Sequence, residues 1–325
     1  MKKLLTLFVT CALLLTGCGN GDANPKAVKI GVLQLMTHEA LNAALQGFKD
    51  GMTELGYVEG EDVVYEVQNG EGDQVTLSQM AIQLVDKDPD MLMAIGTTAA
   101  QSLQAETKNI PIIGTAITDY VETKLVASNE KPGGNITGTS DGCPMDAQID
   151  LLQKLVPNAK TVGIIYTSSE PNSEIQAKQA EAELKKRNLD VMIKTVAGKN
   201  EINDTMEAFV GKVEAIYIPT DNNIASAMAS VDLVATPNKI VTVVGCNTMC
   251  GDGGTASMGV DYYKLGKQTA TQADNILKGN KTAADTPIET LTDLTYYYNS
   301  DILKKLNMEW PSDLEGIDYY GYQNK

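Results

Sequence analysis

Val28-Lys29-Ile30-Gly31-Val32-Leu33-Gln34-Leu35 is an almost unbroken apolar run, the pattern of a strand buried on both faces rather than one with a side in water. From His38 to Leu55, apolar residues then recur at helical spacing (Leu41, Leu45, Phe48, Met52, Leu55), with Gly56 just past the end. That spacing predicts a helix packed on the strand. The pair repeats down the chain. Val63–Val67 reads as a strand, Val75–Val85 as a helix, and Met91–Ile95 as a strand running into Gly96. A helix follows over Ala99–Thr107, then a strand over Pro111–Ile117. Strands alternating with helices in this way predict a parallel sheet covered on both faces.

After the loop Pro132–Asn135 and a short extended stretch, Ile136–Thr139, the rhythm starts again. Helices are predicted over Asp146–Val156, Glu174–Arg187, Asn222–Val234 and Tyr262–Leu277. Strands are predicted over Thr161–Tyr166, Asp190–Val196, Ala215–Ile218, Lys239–Val244 and Thr255–Val260. Two successive doubly wound halves predict an α/β chain of two Rossmann-like lobes with parallel sheets and a cleft between them. Tyr296-Tyr297-Tyr298 reads as a strand crossing between the lobes, and Trp310 as packing. Gly251-x-Gly253-Gly254 precedes a strand instead of opening a helix, so it reads as a turn and not as a phosphate-binding loop.

The N-terminus carries Lys2 and Lys3 ahead of an apolar run, Leu4–Leu15, too short to span a bilayer. Leu15-Thr16-Gly17-Cys18 resembles the bacterial lipobox, whose cysteine is acylated and becomes the new N-terminus. An ordinary secretory leader with a chance cysteine is the other reading. Residues 1–17 are then the signal peptide and 18–27 a tether, polar and turn-forming over Asn20–Pro25. The first lobe is expected over 28–138 plus about 258–285, the second over 139–257 plus about 286–325. The product expected is an extracytoplasmic protein, held to the cell membrane by lipid on Cys18 and working with something in that membrane.

Composition removes several classes. The formal charge of −16 becomes −18 once Lys2 and Lys3 leave, which argues against nucleic acid and against adsorption to anionic lipid. Arg187 is the single arginine, and its charged helical setting reads as a solvated face. His38 is the single histidine, so Ser/His and Cys/His catalysis has almost no base to use. No metal-ligand cluster and no cofactor fingerprint occur, so neither metal nor cofactor is expected. Beyond leader and anchor three cysteines remain, Cys143, Cys246 and Cys250. Cys246-x-x-x-Cys250 could close a small disulfide loop, and an odd number leaves at least one free thiol.

Ligands of doubly wound sheets bind at the carboxyl ends of the strands, beside helix N-termini that favour anions. In the first lobe those places hold Gln34, Met36 and His38, then Gly96, Thr97 and Thr98, then Thr118 and Asp119. In the second they hold Ser168, Ser169, Asn172 and Ser173, then Thr220, Asp221 and Asn222, then Cys246 and Asn247, then Asp261. Each alone suits a helix cap; together they predict a polar cleft. The Asp119 and Asp221 carboxylates could anchor an ammonium group. Thr97, Thr98, Ser168 and Ser169, with nearby backbone N–H groups, could hold a carboxylate. That pairing suits a zwitterionic amino acid.

Five segments carry a resemblance: Asn135-Ile-Thr-Gly-Thr-Ser-Asp141, Leu155-Val-Pro-Asn-Ala-Lys-Thr-Val-Gly163, Ser168-Ser-Glu-Pro-Asn-Ser173, Ile218-Pro-Thr-Asp-Asn222 and Gly259-Val-Asp-Tyr-Tyr-Lys-Leu-Gly266. In this order the chain, from about Val28 to Asp313, resembles ABC-transporter substrate-binding lipoproteins of the tryptophan/tyrosine type. The resemblance implies a type I periplasmic-binding fold with three crossovers and hinge closure on the ligand, and adds Ser140 and Asp141 to the candidate ligand-binding residues. It implies a small solute, with aromatic amino acids favoured, delivered to a membrane permease. The chain departs from the family where Cys246–Asp252 replaces a segment that usually carries an acid. A ligand sensor signalling to a membrane partner would share the fold; an enzyme is the third reading, disfavoured by the missing catalytic groups.

Overall fold

The computed structural model describes residues 27–319. The leader, Cys18 and the stretch Asn20–Pro25 lie outside the described residues. The chain runs β1 (Val28–Gln34), α1 (Glu39–Glu54), β2 (Val63–Asn69), α2 (Gln74–Val85), β3 (Met91–Ile95), α3 (Thr97–Glu106), β4 (Ile112–Ile117) and β5 (Ile136–Ser140). It continues with α4 (Met145–Leu155), β6 (Thr161–Thr167), α5 (Pro171–Lys186), β7 (Asp190–Val196), α6 (Ile202–Glu207), β8 (Ala215–Ile218), α7 (Asn222–Ala225), α8 (Met228–Ala235), β9 (Val241–Val244), α9 (Thr248–Gly251) and β10 (Ala256–Gly259). Then come α10 (Tyr262–Leu277), β11 (Glu289–Thr290), β12 (Thr295–Tyr298), α11 (Ser300–Leu306) and β13 (Gly316–Asp318).

These strands build two sheets. One has the order β11-β5-β4-β3-β1-β2 and is parallel throughout. The other has the order β13-β12-β10-β9-β8-β6-β7 and is parallel apart from the β10–β12 pair. Every residue of β3, β4, β8 and β9 is buried, as the apolar runs require when helices cover both faces. The chain passes between the sheets three times, after Ser140, after Gly259 and after Thr290, each a short way downstream of the sequence expectation.

α10 begins beside the second sheet but packs on α1 in the first lobe. The approach is close enough to need glycine. A Cβ at Gly47 would stand 2.0 Å from the Tyr263 carbonyl oxygen, and one at Gly266 would stand 2.1 Å from that of Ala44. Two helices thus lock backbone to backbone, which fixes the starts of both, where His38 and Tyr262 sit.

Several expectations shift. α5 begins at Pro171, whose ring suits the first helical position. The helix expected over Asn222–Val234 breaks at Ser226–Ala227, where Ala227 leaves helical geometry (φ −142) and the Ser226 hydroxyl donates to the Asn223 carbonyl. Tyr296–Tyr298 does not cross between lobes; it pairs antiparallel with β10 inside the second sheet, and Trp310 stacks on Tyr298 with ring centroids 4.6 Å apart. Arg187 is not a solvated residue. It joins α5 to α4 through Asp150, Gln153, Glu183 and the Asp146 carbonyl. No described helix is long and apolar enough to cross a membrane.

Candidate functional site

The carboxyl ends of both sheets face one another, and the structure draws most of the predicted residues to that seam. Gln34 is buried, its Nε2 donating to the Met36 carbonyl and to Asn42 Oδ1, both at 2.8 Å. It thereby holds the loop from buried Met36 to His38 against α1. Gly96 adopts φ +96 as it turns β3 into α3, a conformation natural for glycine. Thr97 and Thr98 follow in the first, buried turn of α3. Neither hydroxyl has a hydrogen-bond partner among the described residues.

β4 ends irregularly. Its register with β5 shifts between Gly114 and Ile117, and Ala116 takes φ +53, a strained value for a residue with a side chain. The bulge delivers Thr118 and Asp119 to the seam. Asp119 spends its carboxylate on the next turn, accepting from the Val121 and Glu122 N–H groups at 3.0 and 2.9 Å. The Ser140 hydroxyl donates to the Thr118 carbonyl at 2.8 Å.

Asp141 is buried where the chain first leaves the first sheet. Its Oδ2 accepts from the Tyr262 hydroxyl at 2.7 Å, while Oδ1 is buried with no partner among the described residues. Burial pushes this carboxyl above its ordinary range, more than hydrogen bonding to the Tyr262 and Thr118 side chains pulls it back. Tyr262, which the sequence reading placed only as helix, is the side chain that orients it. Cys143 and Cys246 lie in the same neighbourhood. Burial pushes the Cys246 thiol up to about 11 and the Cys143 thiol up to about 12, so both stay protonated. The disulfide considered for Cys246 and Cys250 is not formed: both are free thiols. Cys246 Sγ pairs with the Thr248 hydroxyl at 3.3 Å, and Cys250 Sγ turns to the Tyr297 carbonyl at 4.0 Å.

In the second lobe Ser168 and Ser169 are exposed, and the Ser168 hydroxyl is tied to the Val196 carbonyl at the sheet edge. Asn172 and Ser173 are buried; Asn172 Nδ2 donates to the Thr220 carbonyl at 2.8 Å. Asn172 Oδ1 and Thr220 Oγ1 are left buried and unpaired among the described residues. Asp221 is fully engaged. It accepts from the Thr167 N–H at 2.6 Å, the Thr167 hydroxyl at 2.8 Å and the Ile224 N–H at 2.9 Å, so it ties β6 to β8 and caps α7. Asn247 accepts from its neighbour Thr248, and Asp261 caps α10 through the Lys264 N–H at 3.1 Å.

The residue that sequence reasoning missed is Glu170. Buried at the start of α5, it accepts from the backbone and side-chain amides of both Asn222 and Asn223. Burial, and then the neighbouring Asp221, push its carboxyl up to about 7. The signal available was a glutamate between two serines and a proline, which reads as a surface turn. Across the seam His38 Nε2 meets Asn222 Oδ1 at 3.0 Å, and the Tyr319 hydroxyl donates to Glu39 at 2.7 Å. The lobes are therefore in contact, and the polar groups between them are shielded from water.

What such a seam is for is indicated by the chain's relatives. A family model described as ABC transporter substrate binding protein matches residues 29–315. A tyrosine-binding protein of Clostridioides difficile is 38% identical over 322 residues, 95% of this chain and 93% of the relative. Among solved structures, the ABC domain in complex with L-Trp from Streptococcus pneumonia superimposes with a TM-score of 0.85 at 37% identity, covering 89% of this chain and 97% of that one. The ligand-free, open structure of a Clostridium difficile substrate binding protein with adhesive properties gives 0.71 at 38% identity, covering 90% and 98%. At nearly equal identity, this chain superimposes more closely on the L-Trp complex than on the open form. Two doubly wound lobes, three passages between them and a shielded polar seam are the type I periplasmic-binding-protein architecture, and this chain belongs to the family of ABC transporter substrate-binding proteins.

Proposed function

We propose that the protein captures an aromatic amino acid, tyrosine or tryptophan, between its lobes outside the cytoplasm and hands it to the membrane permease of an ABC importer. One observation carries the choice of an amino acid: the buried Asp141 carboxylate with one oxygen unused. A ligand ammonium supplies both the missing charge and the missing donor. Asp119 and Asp221 are committed to N–H groups of their own chain, so the ammonium role assigned to them passes to Asp141. The ligand carboxylate belongs at the start of α3, where free N–H groups and the Thr97 and Thr98 hydroxyls converge. Tyrosine and tryptophan are the ligands named for two relatives above 35% identity. Cys18, as the lipid-bearing residue, would hold the receptor beside its permease.

A thermal-shift and calorimetric screen of the purified protein against the amino acids, sugars and nucleosides tests the reading. Tyrosine and tryptophan are expected to raise the melting temperature by mass action. A shift with sugars or nucleosides alone would sink it.

A further inference from the structure

We infer that His38 reads the ring of the ligand: its Nδ1 accepts a hydrogen bond from a polar hydrogen on the aromatic side chain, so that tyrosine and tryptophan are retained and phenylalanine is rejected. This rests on the aromatic amino acid reading above.

The hydrogen-bond chain that orients His38 begins one lobe away, at Glu170. Glu170 accepts from the backbone N–H groups of Asn222 and Asn223, each at 2.9 Å. Main-chain N–H groups can only donate, and at pH 8, above the raised range of Glu170, the ionised carboxylate has no proton to give and only accepts. The Asn222 amide must then turn its Nδ2 toward Glu170 Oε2, 2.6 Å away, which points Oδ1 out of the second lobe. Oδ1 faces His38 Nε2 at 3.0 Å. An amide oxygen has no hydrogen to give, so Nε2 carries the imidazole proton. Burial holds the His38 pKa below its ordinary value, so the ring is neutral and Nδ1 is a bare lone pair. That atom is buried with no partner among the described residues. Buried acceptors are almost always paired, and one left alone is costly. The place is made for a donor that the protein does not supply.

Position says which part of the ligand supplies it. Asp141 follows β5 and His38 follows β1, with β4 and β3 between. At about 4.8 Å per strand their ends lie about 14 Å apart. An amino acid with its ammonium on Asp141 and its carboxylate at α3 sends its side chain along this line toward β1. The phenol O–H of tyrosine and the indole N–H of tryptophan are donors on the ring; phenylalanine offers only C–H there.

The test is calorimetric titration at pH 8 of the native protein, His38→Gln and His38→Asn with L-Tyr, L-Trp and L-Phe. Glutamine puts its Nε2 where the imidazole Nε2 stood and keeps a donor to Asn222, but has nothing at Nδ1. Asparagine puts its Oδ1 near the Nδ1 position and forgoes the bond to Asn222. The native protein should prefer Tyr and Trp over Phe by about tenfold or more. His38→Gln should erase that preference by weakening Tyr and Trp, and His38→Asn should keep it at lower overall affinity. A second readout needs no variant. With one histidine in the sequence, 15N-histidine labelling of tag-free protein gives a single imidazole, expected protonated at Nε2, with its Nδ1 resonance moved by Tyr and Trp but not by Phe. The inference is overturned if Phe binds the native protein as tightly as Tyr, if the preference survives in His38→Gln, if His38→Gln weakens all three equally, or if the proton sits on Nδ1. Binding of none of the three would instead fail the aromatic reading itself.

Discussion

Asp141 and Asp221 are the same residue type, each between the end of a strand and the helix that follows it, yet their surroundings give them different work. Three donors satisfy Asp221, so Asp221→Ala strands the Thr167 N–H and uncaps α7. It should cost about 2 kcal/mol of stability, read from the urea midpoint. Asp141→Asn should leave the midpoint unchanged or higher, because it removes a buried, half-paired charge. It should lower affinity for the aromatic amino acid about a hundredfold in calorimetry. A hundredfold loss from Asp221→Ala with none from Asp141→Asn would reverse the assignment. Glu170 adds a pH dependence. Its carboxyl is raised to about 7 by burial and Asp221, so between roughly pH 4.5 and 7 the folded state holds a proton that the unfolded state has released. Stability must therefore fall as pH rises through that window, by about 3 kcal/mol. Glu170→Gln should flatten the decline in urea midpoints between pH 5 and 7.5; an unchanged slope would mean another group titrates. None of this division of labour was legible in the sequence. Asp, Thr and Asn after a strand suit a cap and a ligand site equally, and only the count of donors around each carboxylate separates the two.

The elements themselves were mostly legible, since apolar runs and helical spacing report burial, and burial on both faces is what a doubly wound sheet imposes. β1, β3, α1 and α10 fall where the pattern puts them. α6, α9 and α11 were missed because six, four and seven residues are too few to show a period. The break between α7 and α8 was missed because a run of small residues looks equally helical on both sides of it. Helix lengths were readable; helix contacts were not. Gly47 and Gly266 look like defects in two amphipathic helices, whereas each makes room for a carbonyl of the other helix. Gly266→Ala should therefore destabilise by about 1–3 kcal/mol in denaturant titration, although alanine is the better helix former. It should also weaken ligand binding, since α1 begins just after His38 and α10 at Tyr262. A gain in stability would show that the two helices can separate without strain.

For the whole molecule, the restart of the strand–helix rhythm near residue 136 was enough to read two lobes. The three passages between them were less sharply placed, because a strand leaving one sheet looks the same as one entering the other. The leader and Cys18 belong to this scale too. If Cys18 bears lipid, Cys18→Ser should move the protein from the membrane fraction into the medium while the purified protein keeps its ligand affinity. Retention in the membrane fraction would remove the anchor. The seam described above has a further effect on transport. Closed with nothing inside, and with only what the chain itself supplies, it strands Asp141 Oδ1, His38 Nδ1, Asn172 Oδ1 and Thr220 Oγ1. Each orphaned group costs about 1–3 kcal/mol, so even two of them make the empty shut form about a hundredfold rarer than it would otherwise be. For a receptor of the proposed kind, a permease that recognises the shut shape would then seldom be presented with an empty receptor, which would keep ATP hydrolysis coupled to cargo.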